Sequence, residues 1–560
     1  MASAGKTAPH PSFLERTQEA LAKQRATCAR PEEAAGRVFA DILAVSRDTA
    51  FGREHGLARV RTPGEWRKAV PIRGYDELAP YVHRQLAGEH RVLTIDDPYA
   101  FLRTSGTTGH AKLVPTTHHW RRTYRGPALY AQWGLYFEHM GTERLTGEEV
   151  LDLSWEPGPV RRYQQGFPVY SITERPPSQD PDDWNPPWRT AAWFTRDPAT
   201  PTLTDPLYGK LLRLAGHDLR LIVSVNPSKI VLLAETLREN PERLVRELHD
   251  GQGPGRPAAP ALARRLAAVF DWTGGRPALT DLWPGLRLLV CWNSASAALY
   301  QPLLSRLAPG VATLPFSTTG TEGIVTLPVD DHPSAGPLAV DQAHFEFVPW
   351  HDLDDGSPLP PGSPTLGYDQ LEPGADYRLV MSQANGLYRY DVGDVYRVTG
   401  TVGATPRLEF LGRTGFQSSF TGEKVTESDV HAAVTRVLGH EQTTHPDFTG
   451  IPVWGTPPHY LVAVEWTDAH RARDLEETAR HIDDVLQEVN VEYADKRRSG
   501  RLRPLQLLPL VPGAFRTVAE HRHRDGAAAA QIKHHWLQKD ATFLDTLRRL
   551  GLVHATLAGV

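Results

Sequence analysis

Phe101 to Pro115 reads FLRTSGTTGHAKLVP, and the reading of the whole chain turns on it. Ser105, Thr107 and Thr108 crowd hydroxyls around Gly106 and Gly109, with Lys112 just beyond. Glycines let a backbone curl tightly and turn successive N–H groups inward, and a lysine adds a point charge for phosphate oxygens. The spacing is not that of a Walker loop, which needs G-x-x-x-x-G-K-[ST]; here Lys112 stands three places past Gly109. Taken alone, such a segment is as readily a polar turn as a phosphate cradle.

Composition narrows the choice. At 560 residues the chain is too long for one ordinary core and should form two or more domains. With 40% hydrophobic and 23% charged residues it has the balance of a globular protein. A net charge of -5 supplies no positive field for nucleic acid or anionic lipid, so small molecules are the expected partners. Two cysteines exclude a disulfide framework, and Cys291, inside LRLLVCW, reads as core rather than nucleophile. The N-terminus lacks an apolar signal region and no apolar run reaches membrane-spanning length, which implies a cytoplasmic protein.

Residues 1–12 read as a leader without fixed structure. From Phe13 to about Val45 apolar residues recur at helical spacing, predicting one or two amphipathic helices. Asp218–Leu233 reads as a buried strand, an Asn-Pro turn and a helix. Asp281–Tyr300 reads as a turn, a fully buried strand and a helix start, and His344–Pro349 as a short strand. Continuous apolar strands alternating with helices predict an α/β domain with a parallel or mixed sheet covered on both faces. The Pro- and Trp-rich stretch from Arg175 to Pro206, with Trp184, Trp188 and Trp193, reads as a surface excursion in preference to a pocket lid.

Past residue 424 the pattern changes. Thr426 and Asp429 form a capping-box start, Tyr460–Trp466 and Pro504–Val511 are strands, and Leu475, Ala479, Ile482, Leu486 and Val489 make a helical stripe. A small α+β domain follows, with a boundary near 413–424. The expected division is 13–417 for a large domain and 418–560 for a small mobile lid.

Three further segments decide the meaning of the first: STTGTEG (Ser317–Gly323), GLYRYDVGDV (Gly386–Val395) and GEKVTE (Gly422–Glu427). Their order after SGTTG resembles acyl-adenylate-forming enzymes, and most closely the acyl-acid amido synthetases of the Gretchen Hagen family, which conjugate auxin or jasmonate to amino acids. The likeness runs from about Phe51 to Lys533. It implies a large adenylate-forming domain with mixed sheets flanked by helices, ATP and Mg²⁺ as cofactors, and a carboxylic acid and an amine as substrates.

By that resemblance Ser105, Gly106, Thr107, Thr108 and Gly109 embrace the ATP phosphates with Lys112 assisting. Glu322 holds Mg²⁺, and Gly320 and Thr321 pass along the adenine or α-phosphate. Asp394 accepts the ribose hydroxyls and Arg413 contacts ribose or phosphate near the hinge. Lys424 and Lys533 are the small-domain lysines that approach the α-phosphate as that domain turns. Relatives often follow the second lysine with Pro-Arg, whereas His534, His535 and Trp536 follow here. Arg161–Thr173 matches the place where relatives line the acid pocket. Trp133, Tyr136, Phe137, Tyr163 and Phe167 favour an aromatic or hydrophobic acid.

Several features carry a plainer reading. Tyr75 and Arg84, in the stretch that resembles the family's N-terminal signature, are scaffold residues or neighbours of the nucleotide loop. His440, Glu441 and His445 are spaced five apart where a zinc helix needs four, which separates the histidines by about 140°. His521, His523, His534 and His535 read as an exposed His-rich run in preference to a metal cluster. Lys496, Arg497, Arg498, Arg501 and Arg503 read as a solvated face in preference to a site for tRNA or a carrier protein. The function expected is an AMP-forming acid–amine ligase. Transfer to coenzyme A or a carrier thiol, and a nucleotide sensor without turnover, stay open as alternatives.

Overall fold

The computed structural model describes residues 11–104, 112–141, 148–154, 162–171, 186, 188, 204–251, 257–350, 357–414, 420, 423, 425–439, 447–470, 473–524 and 533–554. The chain divides between Gly412 and Arg413 into two compact units.

The large unit opens with helices α1 (Pro11–Ala29) and α2 (Pro31–Ser46), the expected pair. Pro31 in the first turn of α2 starts the second helix, because a proline needs no amide partner there. Three sheets follow. In the first, β1 (Ala100–Arg103) lies between β2 (Leu113–Thr116), antiparallel to it, and β5 (Phe167–Tyr170), parallel to it, with β4 (Arg162–Gln164) beyond β5. In the second, β3 (Val150–Asp152), β6 (Leu221–Val223), β7 (Leu288–Cys291) and β8 (Ala312–Pro315) are all parallel.

Residues of β3, β6 and β7 are buried along their whole length, as continuous apolar runs require when both faces are covered. Asn226 caps the helix Pro227–Glu239 by accepting the Ser228 N–H at 3.1 Å, which is the Asn-Pro turn expected from the sequence. The third sheet has the order β10 (His344–Pro349), β11 (Asp376–Ser382), β12 (Tyr390–Val402), β13 (Thr405–Arg413) and β9 (Gly336–Pro337).

The small unit holds a three-stranded sheet of β14 (Phe448–Val453), β15 (His459–Glu465) and β16 (Gln506–Leu510). Thr426 caps the helix Glu427–Leu438 with the reciprocal Asp429 bond that the sequence predicts. The apolar stripe forms the helix Leu475–Val489.

Three expectations fail on packing grounds. Trp188, read as part of a surface excursion, is fully buried, with its ring 4.3 Å from Trp133 in a tilted pair and 5.5 Å from Phe13 edge-on. Trp133, Tyr136 and Phe137, read as pocket residues, are buried in that same core cluster, where aromatic area contributes most to stability. Arg497 does not belong to a solvated face. Its Nη2 donates to the buried Asp483 at 2.9 Å, and Asp483 also accepts the Tyr493 hydroxyl and the Leu505 N–H.

Candidate active site

The β1–β2 hairpin frames the glycine- and hydroxyl-rich loop. Arg103 is opposite Leu113, the Thr104 N–H donates to the Lys112 carbonyl at 3.0 Å, and the Lys112 N–H donates to Thr104 Oγ1 at 3.0 Å. Ser105, Gly106, Thr107, Thr108 and Gly109 themselves lie outside the described residues. Just past the loop, Tyr75 clamps the backbone of Leu113, whose N–H it accepts at 2.6 Å and whose carbonyl it donates to at 3.0 Å. Tyr75 is thus a loop neighbour. Arg84 is not, since it pairs with Glu54 and Glu89 on the exposed side of its helix.

Lys112 Nζ donates to the Tyr390 hydroxyl at 3.1 Å and sits 5.7 Å from the ring centroids of both Tyr75 and Tyr390. The rings hold the ammonium by its attraction to their faces. Tyr390 starts β12, and the turn before it carries Gln383, the hub of the site. Gln383 Nε2 donates to the Glu322 carbonyl, and its Oε1 accepts the Trp120 indole N–H at 3.2 Å. One turn thereby ties Lys112, Glu322 and the helical segment at Trp120 together.

The segment around Glu322 is a tight turn in which the Gly320 N–H donates to the Gly323 carbonyl at 2.9 Å. A Cβ on Gly323 would meet Gln383 Nε2 at 2.6 Å, and one on Gly320 would meet Glu322 Oε2 at 2.8 Å, so a larger residue at either position would displace the Gln383 amide or the Glu322 carboxylate. Thr321 and Glu322 are buried. Among the described residues the Glu322 carboxylate makes no hydrogen bond or ion pair. A buried carboxylate without a protein cation suits a hard divalent ion, and Mg²⁺ is commonly held by one or two carboxylates together with substrate phosphates.

Asp394 lies in an irregularity of the β11–β12 pairing. Arg378 faces Val395 and Val380 faces Asp391, so Val392, Gly393 and Asp394 together oppose Leu379. Gly393 supplies the φ of +78° that this bulge needs, and bulges of this kind re-aim side chains beside sites. The neighbouring acid is used otherwise. Asp391 pairs with the buried Arg378 through Nε at 3.0 Å and accepts the Gly393 N–H at 3.1 Å.

Arg413 ends β13, exposed, at the junction of the two units. Lys424 lies outside the described residues, as do His440, Glu441 and His445. Lys533 is exposed in the small unit, and the residues after it account for the departure from the relatives' pattern. His534 Nε2 bonds the Phe448 carbonyl at 2.8 Å, and Trp536 packs on Phe448 at 4.7 Å. The Gly450 N–H donates to the Trp536 carbonyl at 2.8 Å. The segment bearing Lys533 is therefore fastened along β14. His535 lies 3.5 Å from Glu427, and His534 meets the rings of Phe515 and Trp536 edge-on.

Sequence reasoning missed Gln383 and Trp120, which no local motif marks. It also missed Arg125, which is half-buried, keeps its Nη1 sealed from solvent without a partner, and lies 5.6 Å from the Trp120 ring centroid.

Comparison with known proteins accounts for most of the chain. The GH3 family N-terminal domain matches residues 20–313, the GH3 family central domain 336–413 and the GH3 family C-terminal domain 428–542. A probable indole-3-acetic acid-amido synthetase, GH3.12 of Oryza sativa subsp. japonica, is 26% identical over 93% of this chain and 92% of its own length. The jasmonoyl–L-amino acid synthetase JAR4 of Nicotiana attenuata is 27% identical over 88% of each. Among solved structures, the GH3.15 acyl acid amido synthetase in complex with 2,4-DB superposes with a TM-score of 0.74 at 19% identity, covering 99% of this chain and 98% of that one. That likeness establishes a shared α/β fold.

Proposed function

The chain belongs to the GH3 family, and from that premise we propose that it is an ATP-dependent, AMP-forming ligase joining a small carboxylic acid to the amine of an amino acid. The observation that carries the reading is the Gln383–Tyr390 turn, which brings Lys112 and Glu322 to one place.

A carboxylate is a poor electrophile with no leaving group. In the first step one of its oxygens attacks the α-phosphorus of ATP and pyrophosphate leaves. In the second the amine nitrogen attacks the acyl carbon, AMP leaves, and the nitrogen loses a proton. The first step brings two anions together, so the protein must offset charge and hold the in-line geometry.

Lys112, held by two aromatic rings, supplies a fixed positive charge at the exit of the loop Ser105–Gly109, whose donors would bind the β- and γ-phosphates. Glu322 would hold Mg²⁺, which neutralises phosphate charge when bound. Gly320 and Thr321 leave room along the nucleotide, Asp394 receives the ribose hydroxyls, and Arg413 reaches the nucleotide from the unit junction. Lys424 and Lys533 serve the small unit's half of the cycle, as that unit turns between the two steps. The acid has an aromatic or hydrophobic body, and the protein works in the cytoplasm.

The test is to incubate the protein with ATP, Mg²⁺ and panels of acids and amino acids and to identify the nucleotide product. AMP and pyrophosphate that depend on the acid, with an amide of the expected mass, are the expected result. ADP would overturn the reading.

A further inference from the structure

Arg125 and Gln132 are two of the polar groups in the large unit that keep sealed atoms without a partner, as Gln85 and Arg73 also do. Arg125 precedes the helix Gly126–Met140 with helical dihedrals, φ -64° and ψ -41°. Its Nη1 is sealed from solvent without a hydrogen-bond partner, and no carboxylate among the described residues pairs with it. Gln132, two turns on, is fully buried, and neither its amide oxygen nor its nitrogen finds a partner. The Tyr170 hydroxyl is a third sealed and unpartnered group.

These groups share a surface. Positions 125, 128 and 132 fall on one helix face, by spacings of three and four. Between the two polar residues that face carries Ala128, which packs against Ile324, Leu327 and Ala339, immediately after Glu322. Tyr170 comes from β5, opposite Leu102 of β1, one strand from the base of the glycine- and hydroxyl-rich loop. Along that face a guanidinium with one sealed, unpartnered donor and a fully buried, unpartnered amide stand about two turns apart, with a small residue between them.

A guanidinium does not lose its proton in the way a buried lysine does, so withdrawing even part of it from water without a counter-ion is costly. An anion would offset that cost, and none is provided among the described residues. We propose that Arg125, aided by Tyr170 and Gln132, receives a second carboxylate of the acid substrate, so that this ligase acts on acids carrying two anionic groups. The inference rests on the function proposed above and names its substrate class.

The reacting carboxylate is the weaker occupant, because it must meet the α-phosphorus beside Lys112 and Glu322. Arg125 lies beside the Trp120 ring, the Trp120 indole bonds Gln383, and Gln383 bonds the Glu322 carbonyl, so among the described residues Arg125 is linked to Glu322 through two intermediaries and not by a direct contact. A guanidinium fork on the nucleophilic oxygens would also withdraw the electron density that the attack needs.

The test compares each aryl or alkyl monoacid with the same acid bearing a second carboxylate at its far end, in the wild-type protein and in Arg125→Gln. Wild type should favour the diacids. Arg125→Gln should lose about 100-fold in kcat/KM for the diacid and less than about 3-fold for the monoacid, a selectivity change of about 2 kcal/mol. Equal losses for both acids would assign Arg125 to the reacting carboxylate, and a raised ATP KM with every acid would assign it to a phosphate. Either result overturns the proposal.

A binding arm needs no turnover. The preferred diacid alone should raise the melting temperature of wild type and not of Arg125→Gln, and equal shifts in both would overturn the proposal. If wild type forms no acid-dependent AMP while this shift persists, the ligase reading fails and the carboxylate receptor stands.

Discussion

Two arginines of the large unit, Arg389 buried and Arg125 half-buried, have opposite surroundings. Arg389 donates to Glu346 at 2.9 Å, to the Val70 carbonyl at 2.8 Å and to the Arg67 carbonyl at 3.0 Å, and its backbone is held at a φ of +43°. Glu346, itself fully buried, also accepts from Arg67 and Thr365. Arg125 has a sealed donor with nothing to meet it. A buried charge with a full set of partners fastens elements of the fold together, whereas one without them is completed by something that binds. The YRYD motif that carries Arg389 therefore serves architecture and site together.

The sharpest way to break this comparison is to remove each arginine. Arg389→Met leaves Glu346 as a buried charge with fewer partners, and the expected loss is about 3–5 kcal/mol in chemical denaturation. Arg125→Met should leave the protein as stable or more so, because it removes a charge that the fold does not use. A loss of similar size in both variants would show that Arg125 too is structural.

The next effect separates two aspartates three residues apart. Asp391→Asn weakens a buried ion pair with Arg378 and should cost about 3 kcal/mol, less than Arg389→Met because Arg378 keeps the Ser357 carbonyl. Asp394→Asn should instead raise the ATP KM about tenfold or more, equivalent to about 1.4 kcal/mol, with a smaller stability loss than Asp391→Asn. Swapped outcomes would mean that the bulge presents Asp391, not Asp394, to the nucleotide.

What was legible in the sequence follows the range of the interactions. The Asn226 cap, the Thr426–Asp429 box and the buried parallel strands were readable because a few adjacent residues decide them. The site segments were readable because their order resembles a family. Gln383 was not, since its role depends on Trp120, 263 residues away, and on Glu322, 61 residues away. Trp188 was misplaced for the same reason. Nothing in a Pro-rich stretch announces that one indole will pack against Trp133 and against Phe13 near the other end of the unit. Arg497 looked solvated because its neighbours are basic, and only the fold brings Asp483 to it.

A third contrast lies at the back of the same helical segment. His119 Nε2 bonds Asp41 Oδ2 at 2.7 Å, and Asp41 also accepts the Tyr124 hydroxyl, which pins this segment to α2. The Asp41 hydrogen bond holds the His119 pKa above 6.5, against the opposing effect of burial. Its stabilisation is thus fully present below pH 6.5 and is lost as pH rises through the raised value. Burial would raise the Asp41 pKa, but its bonds to His119 and Tyr124 outweigh that and lower it below 3.8, so its contribution fades only as pH falls through that lowered value. The stability gap between wild type and His119→Gln should be widest below pH 6.5 and narrow as pH rises through the raised His119 value, and a flat gap would remove the charge from the account.

The smallest expected effect tests whether partnering alone, without burial, makes a charge structural. In the small unit Arg436 meets Glu488 at 2.8 Å, a distance as short as many in the core, yet both side chains are more than half exposed. Arg497 meets Asp483 at 2.9 Å with both side chains mostly enclosed. Water screens the first pair and ordering two long side chains offsets what remains, so Glu488→Ala should change stability by less than about 0.5 kcal/mol. Asp483 is different, because its removal strands a tyrosine hydroxyl, a backbone N–H and a guanidinium at once. If Glu488→Ala cost as much as Asp483→Ala, distance rather than burial would decide which charges hold this protein together, and the contrast drawn between Arg389 and Arg125 would lose its physical basis.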